Sequence, residues 1–292
     1  MRLTTKTLLG AVGLVLSATT LTACGDDDSG GVDVEVEARD DLTGAAKELS
    51  DAGAIKIGVK IDQPGIGYQA PGDDTPSGID IEMGKILAAD LGIDEADIEW
   101  IETVSDNREP FLKNGTVDLV IASYSITDER RLEVGQAGPY YVTGQQLLVR
   151  EDDKETITGP EDLADVKVCS VEGSTSLARV EEEYGAEPVP FATYSECVEQ
   201  LKSETVDVVT TDGAILLGYA AEDPDALEVV GDAFSEERYG IGYPKDAEGM
   251  CEFINASLED AVDDGTWADA FEATLGQSGV DTPEAPALDP CS

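Results

Sequence analysis

Residues 55–61 read Ile55-Lys56-Ile57-Gly58-Val59-Lys60-Ile61, with a β-branched side chain at every second position. A period of two is that of a strand and sets the four apolar residues on one face. A helix is predicted over 80–91, with Met83, Ile86, Leu87 and Leu91 on one side and Gly92 as its stop. A strand Ile98–Ile101, a short helix Arg108–Lys113 and a strand Val117–Ala122 follow, with Gly115 between the last two. The order then recurs: strand Val166–Val171, helix Thr175–Tyr184, strand Pro188–Phe191, helix Ser195–Lys202, strand Val206–Thr210, and a further helix Gly213–Ala221. Two βαβαβ runs in one chain predict an α/β protein of two lobes, each a mostly parallel sheet flanked by helices. Lobes of about 100 residues can each hold a core. Tyr239–Tyr243 reads as a returning strand, followed by helices over 250–263 and 266–275 and a Pro- and Asp-rich tail.

The N-terminus assigns the compartment. Arg2 and Lys6 precede a short apolar run, Leu8–Leu21, and Leu21-Thr22-Ala23-Cys24 closes it. That order is a secretory signal, and the run is shorter than the roughly 20 residues of a spanning helix. The small residues before Cys24 resemble the bacterial lipobox, which implies cleavage before a lipidated Cys24 and an anchor on the outer face of the cell membrane. The acidic residues that follow repel one another and bury nothing, so they read as a solvated tether. An Asp-Asp-Asp calcium site is disfavoured because no spaced loop of ligands follows. The expected organisation is a signal peptide over 1–23, lipidated Cys24 and tether over 24–50, first lobe over 51–142, second lobe over 143–237, and a return to the first lobe with C-terminal helices and tail over 238–292.

The formal charge is -45, from 18 Lys and Arg against 63 Asp and Glu. Loss of Arg2 and Lys6 with the leader leaves 16 cations and a charge of -47. Such a chain repels nucleic acid and anionic headgroups, and an anionic ligand must be met by local cations and backbone dipoles. Cys169, Cys197, Cys251 and Cys291 remain once Cys24 is set aside, an even number suited to an oxidising compartment. Four cysteines allow three pairings. Cys169 with Cys197 and Cys251 with Cys291 is favoured, because each pair then stays within one lobe segment; each bond would contribute on the order of 3 kcal/mol. Histidine is absent, which removes Ser-His-Asp and Cys-His catalysis and histidine-rich zinc sites. No catalytic residue, metal or cofactor is expected.

Ligands of parallel α/β sheets sit beyond the carboxyl ends of the strands. After Val117–Ala122 the chain reads Ser123-Tyr124-Ser125-Ile126-Thr127-Asp128-Glu129-Arg130-Arg131. Hydroxyls, backbone N–H groups and a guanidinium at a strand end suit a carboxylate. The same residues also fit a capped turn, with Thr127 as N-cap and two acids in the first helical turn. After the strand ending at Val171, Gly173-Ser174-Thr175 opens a helix, which suits an anion or a simple cap. Asp212 closes another strand and is open to the same two readings.

Ser-x-Ser-Ile-Thr-Asp-Glu-Arg, with Gly138-Pro139-Tyr140-Tyr141 soon after, resembles the polar amino acid-binding proteins of ABC importers, solute-binding family 3. Within it the chain is most similar to the glutamate/aspartate branch. The resemblance runs from Ile55 to Leu275 and includes Ser105–Arg108, Asn114–Asp118, Glu172–Thr175 and Asp207–Asp212 in the family's order. It implies the two-lobed, type II periplasmic-binding-protein fold. It further implies that Arg130 pairs with the ligand α-carboxylate, Ser125 and Ser123 assist, Thr175 and Ser174 donate from the second lobe, and Asp212 takes the α-ammonium. Arg108 matches an arginine that reaches the ligand side-chain carboxylate. Lys60 stands where the branch carries a further cation, and its point charge leaves room for glutamine. Tyr68 and Tyr124 are candidates for a ring stacked on the ligand.

The resemblance implies a monomeric receptor that binds glutamate, aspartate or glutamine between its lobes. The lobes would swing about Tyr141–Gln145 and Glu237–Gly240 and pass the ligand to an ABC permease. A partner ATPase would supply energy, since no Gly-x-x-x-x-Gly-Lys loop occurs here. A sensor presenting the same ligand to a membrane kinase would need the same site, and an enzyme on the same fold lacks an evident acid–base pair.

Overall fold

The computed structural model describes residues 31–32 and 34–291, so the leader and Cys24 lie outside the described residues. The first stretch holds α1 (Gly44–Ala52), β1 (Ile55–Val59), the hairpin β2 (Asp62–Gln63) and β3 (Gly67–Tyr68), α2 (Ile79–Asp90), β4 (Ile98–Glu102), α3 (Arg108–Asn114), β5 (Leu119–Val120), α4 (Asp128–Glu133) and β6 (Gly135–Thr143). Next come β7 (Gln145–Arg150), β8 (Val168–Val171), α5 (Thr175–Glu182), β9 (Val189–Phe191), α6 (Tyr194–Lys202), β10 (Val208–Asp212), α7 (Gly213–Glu222) and β11 (Leu227–Val230). The chain returns through β12 (Glu237–Tyr243), α8 (Met250–Asp264) and α9 (Thr266–Ala273).

Two sheets result, ordered β4-β1-β5-β12-β6 and β11-β7-β10-β8-β9. In the first only β12 runs against its neighbours, and in the second only β7 does, so each sheet is mostly parallel. The two lobes are joined by neighbouring crossings. β6 continues through Gly144 into β7, and β12 comes back beside it, pairing Glu237 with Thr143.

The apolar alternation of 55–61 builds the centre of the first sheet. Ile55, Ile57 and Val59 are buried while Lys56 faces solvent. The strand stops at Val59, because its pairing with β4 ends there opposite Glu102. Val117–Ala122 is regular only over Leu119–Val120, although Asp118 and Ile121 still donate their N–H groups to Lys56 and Gly58. The predicted α2 face is buried, and the helix is buried on its other sides too, packing on β1, α8 and α9. Gly92 and Gly115 take the left-handed φ that ends a helix.

The tether expected to reach residue 50 is corrected at its C-terminal end. Val32, Val34 and Leu42 pack on the core, and the N–H groups of Glu37 and Arg39 bond to Ala89 and Asp90. α1 then docks on α8, with Ala46 buried. Valine at alternate positions outweighs the acidic composition here, and Arg39 offsets it by pairing with Asp41, Asp90 and Asp260.

Cys169 bonds to Cys197, with Cα atoms 5.6 Å apart, tying β8 to α6. Cys251 bonds to Cys291 across 5.7 Å, holding the C-terminal tail on α8. The tail is pinned further by Asp289, which pairs with Arg131 and Arg238 and donates its N–H to Gly138. Burial pushes the Asp289 carboxyl up, but the two guanidinium groups outweigh it and hold the group below its usual range. Among the described residues no helix is long and apolar enough to cross a membrane.

Candidate functional site

The cleft between the lobes is lined by Ser105, Arg108, Ser123, Ser125 and Arg130 from the first lobe. Ser174, Thr175, Ser176, Tyr194, Thr211, Asp212 and Ile215 line it from the second. The two walls meet closely, and the cavity left between them is about 10 Å³.

The first wall is set by the turn after β5. Ser123 has a φ of 42°, left-handed for a residue with a Cβ, a conformation that persists only when neighbours fix it. Asp80, in the first turn of α2, does so: its Oδ2 accepts the Ser123 N–H at 2.8 Å, and its Oδ1 accepts the Tyr140 hydroxyl. Burial raises the Asp80 carboxyl to about 6, even against those hydrogen bonds and the nearby Lys60 and Arg108. Tyr124 follows, its hydroxyl donating to Glu109 at 2.7 Å. The Arg108 and Arg130 guanidinium carbons lie 4.6 and 4.9 Å from its ring centroid, within cation–π range. Thr127 caps α4 by accepting the Arg130 N–H at 3.1 Å, so the capped turn and the cleft arginine are parts of one arrangement.

Arg108 is buried and holds the wall together. Nε donates to the Ser105 carbonyl, Nη1 to Ala122 and Ser123, and Nη2 to Gly173 of the second lobe, at 3.0–3.2 Å. Burial, then Arg130, lowers it to about 10. Arg130 donates Nη1 to the Ser125 carbonyl at 2.7 Å and Nη2 to Gly173 at 3.0 Å, and its Nε pairs with Glu109 at 3.2 Å. Both guanidinium groups therefore converge on one carbonyl oxygen of the opposite lobe. Lys60 stands behind them: its Nζ donates to Ser105 Oγ at 2.9 Å, and burial, then Arg108, brings it to about 7.

The second wall carries the opposite charge. Asp212 closes β10 and precedes α7, yet its side chain makes no capping bond. Oδ2 accepts the Tyr239 hydroxyl at 2.6 Å, whereas Oδ1 is buried with no partner. Burial, then Glu237, raises this carboxyl to about 7. Ser174 serves as the cap of α5, accepting the Leu177 N–H at 3.0 Å. The Thr175 hydroxyl donates to Glu237 at 2.9 Å, so its side chain is turned to the hinge strand.

All eight sequence candidates sit at or directly behind this seam, with Lys60 behind Ser105 and outside the lining. The Tyr124 ring lies against both arginines, and Tyr68 lines a separate groove beside α6 and α7. Sequence reasoning missed Tyr194, Asp80 and Glu237. An acid in the first turn of an otherwise buried helix was the available signal for Asp80. Two guanidinium groups, hydroxyls and helix-start N–H groups facing one unpaired carboxylate oxygen complement a small zwitterion.

Two α/β lobes, joined by paired crossings and meeting at such a cleft, define a two-lobed binding protein of the type II architecture. The model of the bacterial extracellular solute-binding proteins, family 3, matches residues 55–277, and the chain belongs to that family. It is similar to the glutamate-binding protein GluB of Corynebacterium efficiens, 39% identical over 287 residues, 94% of this chain and 92% of that protein. The ABC transporter glutamine-binding protein GlnH of Bacillus subtilis is 35% identical over 254 residues, 86% of this chain and 90% of that one. Among solved structures, an ancestral arginine-binding protein bound to glutamine aligns with a TM-score of 0.71 at 34% identity, covering 77% of this chain and 98% of that chain.

Proposed function

We propose that this chain is the substrate-binding lipoprotein of an ABC importer and that it takes glutamate into the interlobe cleft. The observation that carries the reading is the pairing of Arg108 and Arg130 on one wall with the unpartnered Oδ1 of Asp212 on the other. Arg130 grips the α-carboxylate, with the hydroxyls of Ser123 and Ser125 beside it. Asp212 takes the α-ammonium, which returns a partner to a buried carboxylate. Thr175 contributes its N–H at the start of α5, beside the Ser174 hydroxyl, while the Ser174 N–H is kept by the Val171 carbonyl. Arg108, with Lys60 acting through Ser105, meets the side-chain end.

Glutamine is the second reading. Arg108 spends most of its five N–H donors on carbonyls, and an amide needs fewer of them than a carboxylate does. The relatives bind one or other of these ligands by name. Ligand contacts on both walls favour the closed lobes, and the closed form docks on the permease. The protein works as a receptor and performs no chemistry on its ligand. Lipidated Cys24 holds it at the outer face of the membrane.

The test is calorimetric titration of the purified chain, leader removed and Cys24 replaced by serine, with glutamate, glutamine, aspartate and asparagine. Glutamate is expected to bind most tightly, by about tenfold over glutamine, or about 1.4 kcal/mol. Silence toward all four would overturn the reading.

A further inference from the structure

Hydrogen bonds join the lobes at the cleft arginines, along the hinge strand, where Tyr239 meets Asp212 and Thr175 meets Glu237, and at a third place. The third is made by Asp62, in the hairpin that follows β1. Its Oδ2 accepts the N–H groups of Tyr194 at 2.9 Å and Ser195 at 3.2 Å, in the first turn of α6 in the opposite lobe. The Tyr219 hydroxyl of α7 donates to the Asp62 carbonyl and lies 3.3 Å from Oδ2. Just beyond, a Cβ on Gly218 would stand 2.3 Å from the Pro64 carbonyl oxygen, so only glycine lets α7 come this near the hairpin.

The start of a helix leaves its first N–H groups without partners in the helix. In α6 that requirement is divided between the lobes. Thr193 accepts the Glu196 N–H within the second lobe, while the Tyr194 and Ser195 donors go to Asp62 of the first. Their protein partner is present only when the lobes are together. Of these groups only Tyr194 lines the cleft, on the wall opposite Arg108 and Arg130.

We propose that Asp62 is an interlobe latch: its carboxylate on α6 favours the closed arrangement whether or not ligand is bound and slows reopening once ligand is inside. Charge-assisted bonds are the stronger kind, and interactions that form after encounter act mainly on the off-rate. A latch also raises the share of binding-competent closed protein, so its loss weakens apparent affinity. The kinetic half rests on the cleft being a glutamate site; the latch itself is a property of the two lobes.

The test places dyes on cysteines introduced at the exposed positions Leu132 and Val189, one on each lobe, with Cys24 replaced. Single-molecule distances are recorded with and without glutamate, and glutamate release is timed by stopped flow. Asp62→Ala is expected to lower the closed share without ligand and to speed release, each by about tenfold, with the on-rate within about twofold of the parent. Asp62→Asn, which keeps one acceptor, should fall between. Gly218→Ala should reproduce the loss from the other lobe by holding Pro64 off, and thermal unfolding confirms that each variant is folded. An unchanged closed share and release rate in folded Asp62→Ala and Gly218→Ala would overturn the latch. So would a parent protein that closes neither with nor without glutamate. If glutamate fails to bind the parent, the ligand reading fails, and the ligand-free distances still decide the latch.

Discussion

Asp212→Asn should make the ligand-free protein more stable and nearly abolish ligand binding, two effects of opposite sign from one atom. In the folded chain the carboxyl is shifted from 3.8 to about 7 by burial and by Glu237. At about 1.36 kcal/mol per unit, the ionised group costs the fold roughly 4 kcal/mol above pH 7. Between about pH 4 and 7 the unfolded carboxyl is ionised while the folded one keeps its proton. Unfolding then releases a proton, so stability falls as pH rises through that window and levels off above it. Asparagine carries no such penalty, but its amide nitrogen inherits the position of the unpartnered Oδ1 and costs about 1–3 kcal/mol. The net gain is about 1–3 kcal/mol at pH 8, a rise in Tm of roughly 3–10 °C, and it turns into a loss of about 1–3 kcal/mol below pH 4, where only the amide penalty remains. Binding should weaken by about 3–5 kcal/mol, a factor of roughly 150 to 5,000, because a buried charge pair loses one member. Thermal unfolding from pH 4 to 9 without ligand and calorimetry at pH 8 read the two effects. A variant less stable than the parent at pH 8, or one that binds within about tenfold of it, would refute the reasoning.

Arg108→Ala leaves the Ser105, Ala122 and Ser123 carbonyls without their donor, so urea unfolding should show a loss of about 2–4 kcal/mol. Competition binding should show its glutamate-to-glutamine ratio falling about tenfold, and an unchanged ratio would remove Arg108 from selectivity. Lys60, held at about 7, gives up its proton as pH rises from 6 to 8.5. The preference for glutamate over glutamine should decline across that range, and Lys60→Met should flatten the profile in paired titrations. Cys251→Ser with Cys291→Ser opens a loop of 40 residues, which should lower stability by about 4 kcal/mol in denaturant titrations.

Much of this fold was legible because its central elements obey simple periods. The alternation in β1, the apolar face of α2 and the glycine stops at Gly92 and Gly115 each have one physical cause, and each acts locally. β6 and β7 were not legible as strands. Buried along most of their length, they show no in–out alternation, and Gly135, Gly138 and Pro139 break the strand pattern further. The N-terminal segment misled through its composition: its acids are solvated, while Val32 and Val34 bind it to the core. At the site, residues that follow strand ends could be found, because parallel sheets place ligands there. Asp80, Glu237 and Tyr194 act through side chains that cross between elements, and Asp62 acts between lobes. Such contacts depend on the packing of segments far apart in sequence, 43 residues for Asp80 with Ser123 and 132 for Asp62 with Tyr194.

The central claim concerns which groups hold which end of the ligand, and a crystal structure of the glutamate complex tests it most directly. The account predicts the α-carboxylate on Arg130 with Ser123 and Ser125, the α-ammonium within hydrogen-bond distance of Asp212 Oδ1, and the side-chain carboxylate toward Arg108 and Ser105. Glutamate lying with its ammonium away from Asp212, or bound outside the interlobe cleft, would contradict it.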